Sequence, residues 1–154
     1  MPGVLKACRC RKGMFTNMNH YTLDEISVGM TESFQVAVTK EMQEQFTALS
    51  GDVNPMHLTD DYAKEHGYEH RLVYGMLTAS FYSTLVGVYL PGEHCIFHEI
   101  HTTFNAPVYE GDVLTVTGKV VEIHENFRRI KIQAFIRNAE GKKVSRATLV
   151  VGCQ

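Results

Sequence analysis

Asp52 and His57 lie five positions apart in the stretch Ser-Gly-Asp-Val-Asn-Pro-Met-His. Their reference pKa values, about 3.9 and 6.5, suit a general acid/base pair near neutral pH. Gly51 permits unusual φ values, Pro55 moves its predecessor out of the helical region, and Asn54 can close a turn with its own backbone. We therefore predict a turn that brings Asp52 and His57 together, although a polar surface turn has the same composition.

One strand and two helices are predicted around this turn. Alternating apolar residues indicate a half-buried strand over residues 31–39. Thr39 can cap a helix whose apolar residues recur at helical spacing: Met42, Phe46 and Leu49. A second, short helix is predicted from Asp60 to Glu65, with Gly67 as its C-terminal stop.

Residues 75–90 form the longest apolar stretch, and Pro91 and Gly92 end it. Apolar side chains on nearly all sides predict a buried helix. Four strands are then predicted between plausible turns, over residues 94–106, 113–123, 127–137 and 144–151. This order indicates an α+β fold in which an antiparallel sheet is wrapped around a long buried helix.

Composition predicts one globular domain over residues 21–154, preceded by a poorly ordered extension over residues 1–20. The hydrophobic fraction of 44% and the charged fraction of 21% argue against disorder. No apolar run approaches the roughly 20 residues of a membrane span, and the first residues lack the apolar core of a secretory signal. The four cysteines show no disulfide framework, which fits a cytoplasmic setting. A net charge of −2, with basic residues clustered only at 6–12, does not favour nucleic-acid binding.

Three groups of metal-ligand residue types are present, but none predicts a metal site. Residues 8–10 offer two thiols without further ligands. Residues 66–70 match the H-x-x-E-H pattern of some zinc peptidases, yet Gly67 interrupts the continuous helix that this chemistry requires. The third group lies in the strand predicted over residues 94–106. Alternation there places His94 and His98 on one face, and Cys95 and His101 on the other, unless a bulge intervenes.

Three segments together resemble the signature of the MaoC-like, R-specific enoyl-CoA hydratases. These are Phe46 to His57, Tyr74 to Leu77, and Phe104 to Val108 before Gly-Asp. The resemblance runs from about Thr22 to Val151, and it implies a hot-dog fold, the arrangement already indicated by the order of elements. It also implies reversible addition of water to trans-2-enoyl thioesters, giving R-3-hydroxyacyl thioesters.

The resemblance also implies roles for individual residues. Asp52 and His57 match the catalytic pair, with His57 favoured to take the proton of water while Asp52 polarises it. Asn54 is expected to orient the pair. The Gly75 amide, at the start of the buried helix, matches the donor to the thioester oxygen. Ser83 aligns with a serine near the pair, but an ordinary helix hydroxyl bonded to a carbonyl fits equally well.

The residue before Gly75 is commonly histidine in these hydratases, and here it is Tyr74. We expect this departure to affect the pocket or its hydrogen bonding, and therefore the substrate range rather than the reaction type. The residues expected to shape the substrate pocket are Val73, Tyr74 and Phe81, together with residues of a partner chain.

No metal or redox cofactor is implied, because coenzyme A or the phosphopantetheine of an acyl carrier protein is part of the substrate. The resemblance suggests a homodimer or higher homo-oligomer, with sheets joined edge to edge, and neither a nucleic-acid nor a membrane partner. Two alternatives are a hot-dog thioesterase and a non-catalytic acyl-thioester-binding subunit. The first generally lacks the Asp-x-Asn-Pro-x-His turn, and retention of Asp52 and His57 argues against the second.

Overall fold

The computed structural model describes residues 17–154. The interpretations of the basic cluster at 6–12, of the thiols at 8–10 and of most of the predicted extension therefore lie outside the described residues. The last part of that extension is paired with the domain. Asn19 N donates to Val88 O at 2.8 Å, and Asn19 O accepts from Glu93 N at 2.9 Å.

The sheet has five antiparallel strands in the order β1-β3-β4-β5-β2. Each bound lies within two residues of the predicted one, because alternation and the intervening turns mark strands clearly. The strands are β1 (Thr31–Ala37), β2 (Cys95–Phe104), β3 (Val113–His124), β4 (Arg129–Arg137) and β5 (Lys143–Cys153).

All three predicted helices are present, and one further turn of helix carries His57. The helices are α1 (Lys40–Ser50), α2 (Pro55–Leu58), α3 (Asp60–Glu65) and α4 (Gly75–Thr84). A π-helical segment, Leu85–Tyr89, continues α4, and 3₁₀ turns span Leu23–Glu25 and Glu125–Phe127. Among residues 17–154, no helix combines the length and apolar character needed to cross a membrane.

Helix α4 packs against the inner face of the sheet, which confirms the predicted hot-dog architecture. The helix contributes the buried Leu77 and Phe81 to the same apolar core as Ile132 and Leu149 of the sheet. One polar bond joins the two layers: the hydroxyl of buried Tyr82 donates to Ser145 Oγ at 2.9 Å. Burial raises the pKa of Tyr82 to about 12, so its hydroxyl keeps the proton that it donates.

The prediction that α4 is a buried helix holds for most of its surface, but one face is exposed in this single chain. Met76, Ser80 and Ser83 are exposed and share one helix face, since they are four and three residues apart. The sheet covers only the opposite face. Apolar content along a helix predicts burial, but it does not identify which face of the helix the sheet covers.

The predicted apolar face of α1 was also partly wrong. Thr39 caps the helix as expected, accepting from Met42 N at 3.2 Å, and Phe46 packs against the core. Leu49, however, is 84% exposed, whereas Gln43 is buried. Helical spacing predicted the helix correctly. The face that packs inward includes the buried amide of Gln43, so hydrophobicity alone does not identify that face.

A β-bulge changes the predicted faces of β2. The register of β2 on β5 shifts between Phe97 and Glu99. Cys95 lies opposite buried Cys153, whereas past the bulge Thr102 bonds to Ser145 Oγ on the inner face. Alternation then places His101 on the outer face, so the prediction that Cys95 and His101 share a face was wrong.

We predict that Gly92→Ala destabilises the domain by about 2–4 kcal/mol, through positive φ and steric overlap. Gly92 has φ +91°, and a Cβ there would lie 1.9 Å from Asn19 O. Gly141→Ala is the matched control, because Gly141 has φ +79° and open space around it. Denaturant unfolding should show the smaller loss for Gly141→Ala. Equal losses would contradict the proposed overlap with the Asn19 backbone.

Candidate active site

Three local hydrogen bonds shape the turn between α1 and α2. Gly51 has φ 71°, and its N–H donates to Thr47 O, which ends α1. Asp52 Oδ1 then accepts from Asn54 N at 3.0 Å, and Asn54 Oδ1 accepts from Met56 N at 2.9 Å. The third bond, to Asn54 Oδ1, is the predicted Asx-turn. It also caps α2, so Asn54 fixes the start of the helix that carries His57.

The orientation of the His57 ring follows from one bond. Its Nδ1 lies 2.8 Å from the main-chain oxygen of Leu72. A carbonyl oxygen only accepts, so Nδ1 carries the proton and Nε2 of the neutral ring keeps a lone pair. The imidazole is thereby set as a proton acceptor at Nε2.

Gln43 holds the surrounding backbone together from inside the protein. Its Nε2 donates to Leu72 O at 2.8 Å and lies 3.4 Å from His57 O, while its Oε1 accepts from Tyr74 N at 3.4 Å. One buried amide therefore connects α1, α2 and the segment that precedes α4. No signal in the sequence pointed to Gln43, because its role arises only from three distant backbone groups.

The segment that carries Leu72 is anchored on its other side by Asp60. The main-chain N–H of Arg71 donates to Asp60 Oδ1 at 2.9 Å. This hydrogen bond, aided by His70, holds the pKa of Asp60 below its ordinary value. Leu72 O, which accepts from His57 Nδ1, is therefore held by Gln43 directly and by Asp60 through the neighbouring residue Arg71.

A cavity of about 350 Å³ lies beside His57. Of the predicted site residues, His57, Gly75 and Val73 line it. Its wall continues along the end of β2 and the following segment, which contributes Phe104, Asn105, Ala106, Pro107 and Val108. The Phe-Asn-Ala-Pro-Val motif was noted in the sequence, but its place beside His57 depends on the fold.

Gly75 begins α4 at the edge of this cavity. The first intrahelical bond runs from Thr78 N to Tyr74 O, so the N–H groups of Gly75 to Leu77 precede the regular ladder. A Cβ on Gly75 would lie 3.2 Å from the Phe104 ring. The missing side chain therefore leaves a narrow approach to the positive end of the helix.

Other predicted site residues lie elsewhere in this chain. The Asp52 side chain is exposed, and within the described residues no hydrogen bond joins it to His57. Ser83 lines a different depression, with Cys95 and Phe97, eight residues further along the helical segment than Gly75. Its proximity to the acid/base pair thus stays a prediction.

Two of the three predicted pocket residues do not line this cavity. Tyr74 and Phe81 are buried in the core, and only Val73 reaches the cavity surface. Tyr74 instead bonds to the turn: its hydroxyl lies 2.6 Å from Asp52 O. The expected effect of Tyr74 on hydrogen bonding therefore has a structural basis, whereas the place of Tyr74 and Phe81 in the substrate pocket stays a prediction.

The histidines at 66 and 70 have protein partners. Helix α3 ends at Glu65, so the two residues do not share a helix. His66 Nδ1 donates to Tyr62 O at 2.7 Å, and His70 Nδ1 lies 3.3 Å from Asp60 Oδ2. Across residues 17–154, no three side chains of metal-ligand type form a cluster.

A family model described as "MaoC like domain" matches residues 25–141. The (R)-specific enoyl-CoA hydratase of Rhodospirillum rubrum is 36% identical over 101 residues, which cover 66% of this chain and 69% of that protein. The enzyme of the same name from Aeromonas caviae is 40% identical over 81 residues, covering 53% of this chain and 60% of that protein.

Solved structures show the same similarity over a longer span. The unliganded R-hydratase PhaJ1 from Pseudomonas aeruginosa superposes with a TM-score of 0.82 and 28% identity, covering 89% of this chain and 87% of that chain. The Aeromonas caviae R-hydratase gives a TM-score of 0.80 with 29% identity, over 84% of this chain and 98% of that chain.

Proposed function

This chain belongs to the MaoC-like domain family, and we propose that it is a hydro-lyase acting on trans-2-enoyl thioesters. In the forward direction it adds water to give an R-3-hydroxyacyl thioester, and in reverse it dehydrates that product. Hydratase and dehydratase relatives support this reaction class. The single observation that carries the proposal is the His57 tautomer: the bond from Nδ1 to Leu72 O leaves Nε2 as a proton acceptor on a residue that lines the cavity together with Gly75, the first residue of α4.

His57 is the group that takes the proton of water in this proposal. Because Nδ1–H donates to Leu72 O, the lone pair of Nε2 is available for a water proton. The water oxygen then bonds to Cβ of the enoyl group as the carbon–carbon double bond gives up its π electrons. In reverse, the protonated ring returns that proton to the leaving hydroxyl.

Asp52 is proposed to polarise the same water and to share the proton relay. Its Oδ1 accepts from Asn54 N, which leaves the second carboxylate oxygen for water. A proton must also reach Cα, and a coupled acid/base pair can deliver it from either member. Asn54 supports both residues by fixing the turn between them.

The Gly75 N–H is proposed to stabilise the negative charge that develops on the thioester oxygen. Addition at Cβ moves negative charge to this oxygen before Cα is protonated, and an N–H at the positive end of a helix stabilises it. These groups supply proton transfer and charge stabilisation, so we propose no separate cofactor. Coenzyme A or phosphopantetheine enters as part of the substrate.

The test of this function is the reaction of purified protein with crotonyl-CoA. We expect loss of the enoyl-thioester absorbance, an R-3-hydroxy product and no free thiol. Release of free thiol would instead identify the thioesterase alternative. No reaction with crotonyl-CoA, longer enoyl-CoA substrates or carrier-bound enoyl groups, despite measurable binding, would favour the non-catalytic subunit.

We predict that Asp52→Asn and His57→Ala each lower kcat/KM for hydration by about 10²–10⁴-fold, because each removes a proton-transfer group. His66→Ala is a matched control for His57. His66 Nδ1 also donates to a carbonyl, and its ring also lies against a tyrosine, Tyr62. Asp61→Asn controls for loss of an exposed carboxylate. Near-normal rates in folded Asp52→Asn and His57→Ala proteins would contradict the assigned roles.

Gly75→Ala should separate activity from stability. The added methyl group meets the Phe104 ring at 3.2 Å and fills the approach to the amide. We expect kcat/KM to fall by about 10–10²-fold, while the free energy of unfolding stays within about 1 kcal/mol, since alanine is the better helix former. Steady-state kinetics and denaturant unfolding measure the two effects. An unchanged kcat/KM would argue against substrate approach at Gly75.

The two edges of the sheet differ, and this difference supports the proposed homodimer. The outward polar side chains of β1 include Ser33 and Gln35, whereas β2 leaves Ile96, Ile100 and Phe104 exposed by 42%, 46% and 49%. An apolar edge strand next to an uncovered helix face is a site for pairing with another chain. We propose that a second copy of this chain covers β2, edge to edge.

We predict that Ile100→Asp raises the dimer dissociation constant by at least about 10²-fold, because dimerisation would bury an unpaired charge. Ser33→Asp places the same charge on the other edge strand and should leave assembly unchanged. Sedimentation velocity over a concentration series measures both. A monomeric wild-type protein, or a dimer that resists Ile100→Asp, would contradict the proposed interface.

A further inference from the structure

Tyr74 lies at the centre of the contacts around the catalytic turn, although it does not line the cavity. Tyr74 is only 2% exposed. Its backbone accepts the first intrahelical bond of α4 from Thr78, while its side chain extends towards α1 and the turn. A tyrosine in this place can therefore act on Asp52 and His57 without contacting substrate.

The Tyr74 hydroxyl donates its hydrogen bond to the main-chain oxygen of Asp52. Tyr74 Oη lies 2.6 Å from Asp52 O, and a carbonyl has no proton to give. Thr47 Oγ1, 2.8 Å from the phenol oxygen, can donate to that oxygen or to Gln43 O, 3.0 Å away. The exposed segment that carries Asp52 is thus bonded to a buried group of the core.

The ring of Tyr74 constrains the second member of the pair. Its centroid lies 4.1 Å from the centroid of the His57 ring, with 34° between the ring planes. A second ring contact, to Phe46, has a centroid distance of 5.0 Å. The bond from Nδ1 to Leu72 O fixes one atom of the imidazole. The tyrosine ring restricts rotation about that bond, and so directs Nε2.

We propose that Tyr74 is a positioning residue for hydration, holding the Asp52 main chain through its hydroxyl and the His57 ring through its face. This inference rests on the proposed function, since it acts through Asp52 and His57. Small displacements of proton-transfer groups reduce rates steeply. Tyr74 therefore contributes to kcat more than to substrate binding, because it does not line the cavity.

The test is Tyr74→Phe, which keeps the ring and removes the hydroxyl. We expect kcat to fall by about ten-fold while KM changes by less than about two-fold, as for a lost positioning hydrogen bond. The solvent deuterium isotope effect on kcat should rise, because proton transfer becomes slower relative to the other steps. Thr47→Val, which removes the neighbouring hydroxyl, should also lower kcat, by about two- to five-fold.

Tyr82→Phe is the matched control, since Tyr82 is also buried and its hydroxyl also donates to a protein oxygen, Ser145 Oγ. It should lower stability without changing kcat or the isotope effect. Wild-type kcat and isotope effect in Tyr74→Phe, or equal losses in Tyr82→Phe, would overturn the positioning role. If Tyr74→Phe does not fold, an unchanged kcat in Thr47→Val overturns it.

A failure of the proposed function would look different. In that case wild type does not hydrate enoyl thioesters, or His57→Ala retains the wild-type rate, and the positioning role falls with it. A failure confined to Tyr74 leaves His57→Ala inactive while Tyr74→Phe keeps the wild-type rate.

Discussion

The main-chain oxygen of Leu72 accepts from both His57 Nδ1 and Gln43 Nε2, and the arrangement of the site depends on this acceptor. A carbonyl lacks a proton, so it determines the histidine tautomer without any charged partner. The buried Gln43 keeps that carbonyl in place from α1. In the proposed function, a main-chain group thus performs the orienting task that a carboxylate performs in catalytic triads.

Helix α4 contributes to the core and to the cavity with different parts of its surface. One face is attached to the sheet through apolar packing and through the Tyr82–Ser145 bond. Its first residue, Gly75, opens the cavity next to Phe104. This attachment holds the start of the helix in place, although the Tyr74 side chain does not cap it.

Local sequence patterns predicted the type, order and approximate bounds of the elements, because alternation, helical spacing and turn residues act over short distances. They also indicated the turn that follows α1, but not the short helix α2 that carries His57. They did not predict features set by distant contacts. The exposure of Leu49, the burial of Gln43, the bulge near His98 and the inward direction of Tyr74 each depend on segments far apart in the chain. Ser83 lies on the exposed face of α4, and its role stays a prediction.

The strand order β1-β3-β4-β5-β2 has a consequence for the folding of the chain. Strands β3, β4 and β5 form a meander of local hairpins, which close at a small cost in loop entropy. Strand β1 instead pairs with β3, and all four helices and β2 lie between these two strands in the chain. The turn of Asp52 and His57 lies inside this long loop. We therefore expect the site to acquire its geometry late, after the meander has formed a surface on which the rest of the chain can dock.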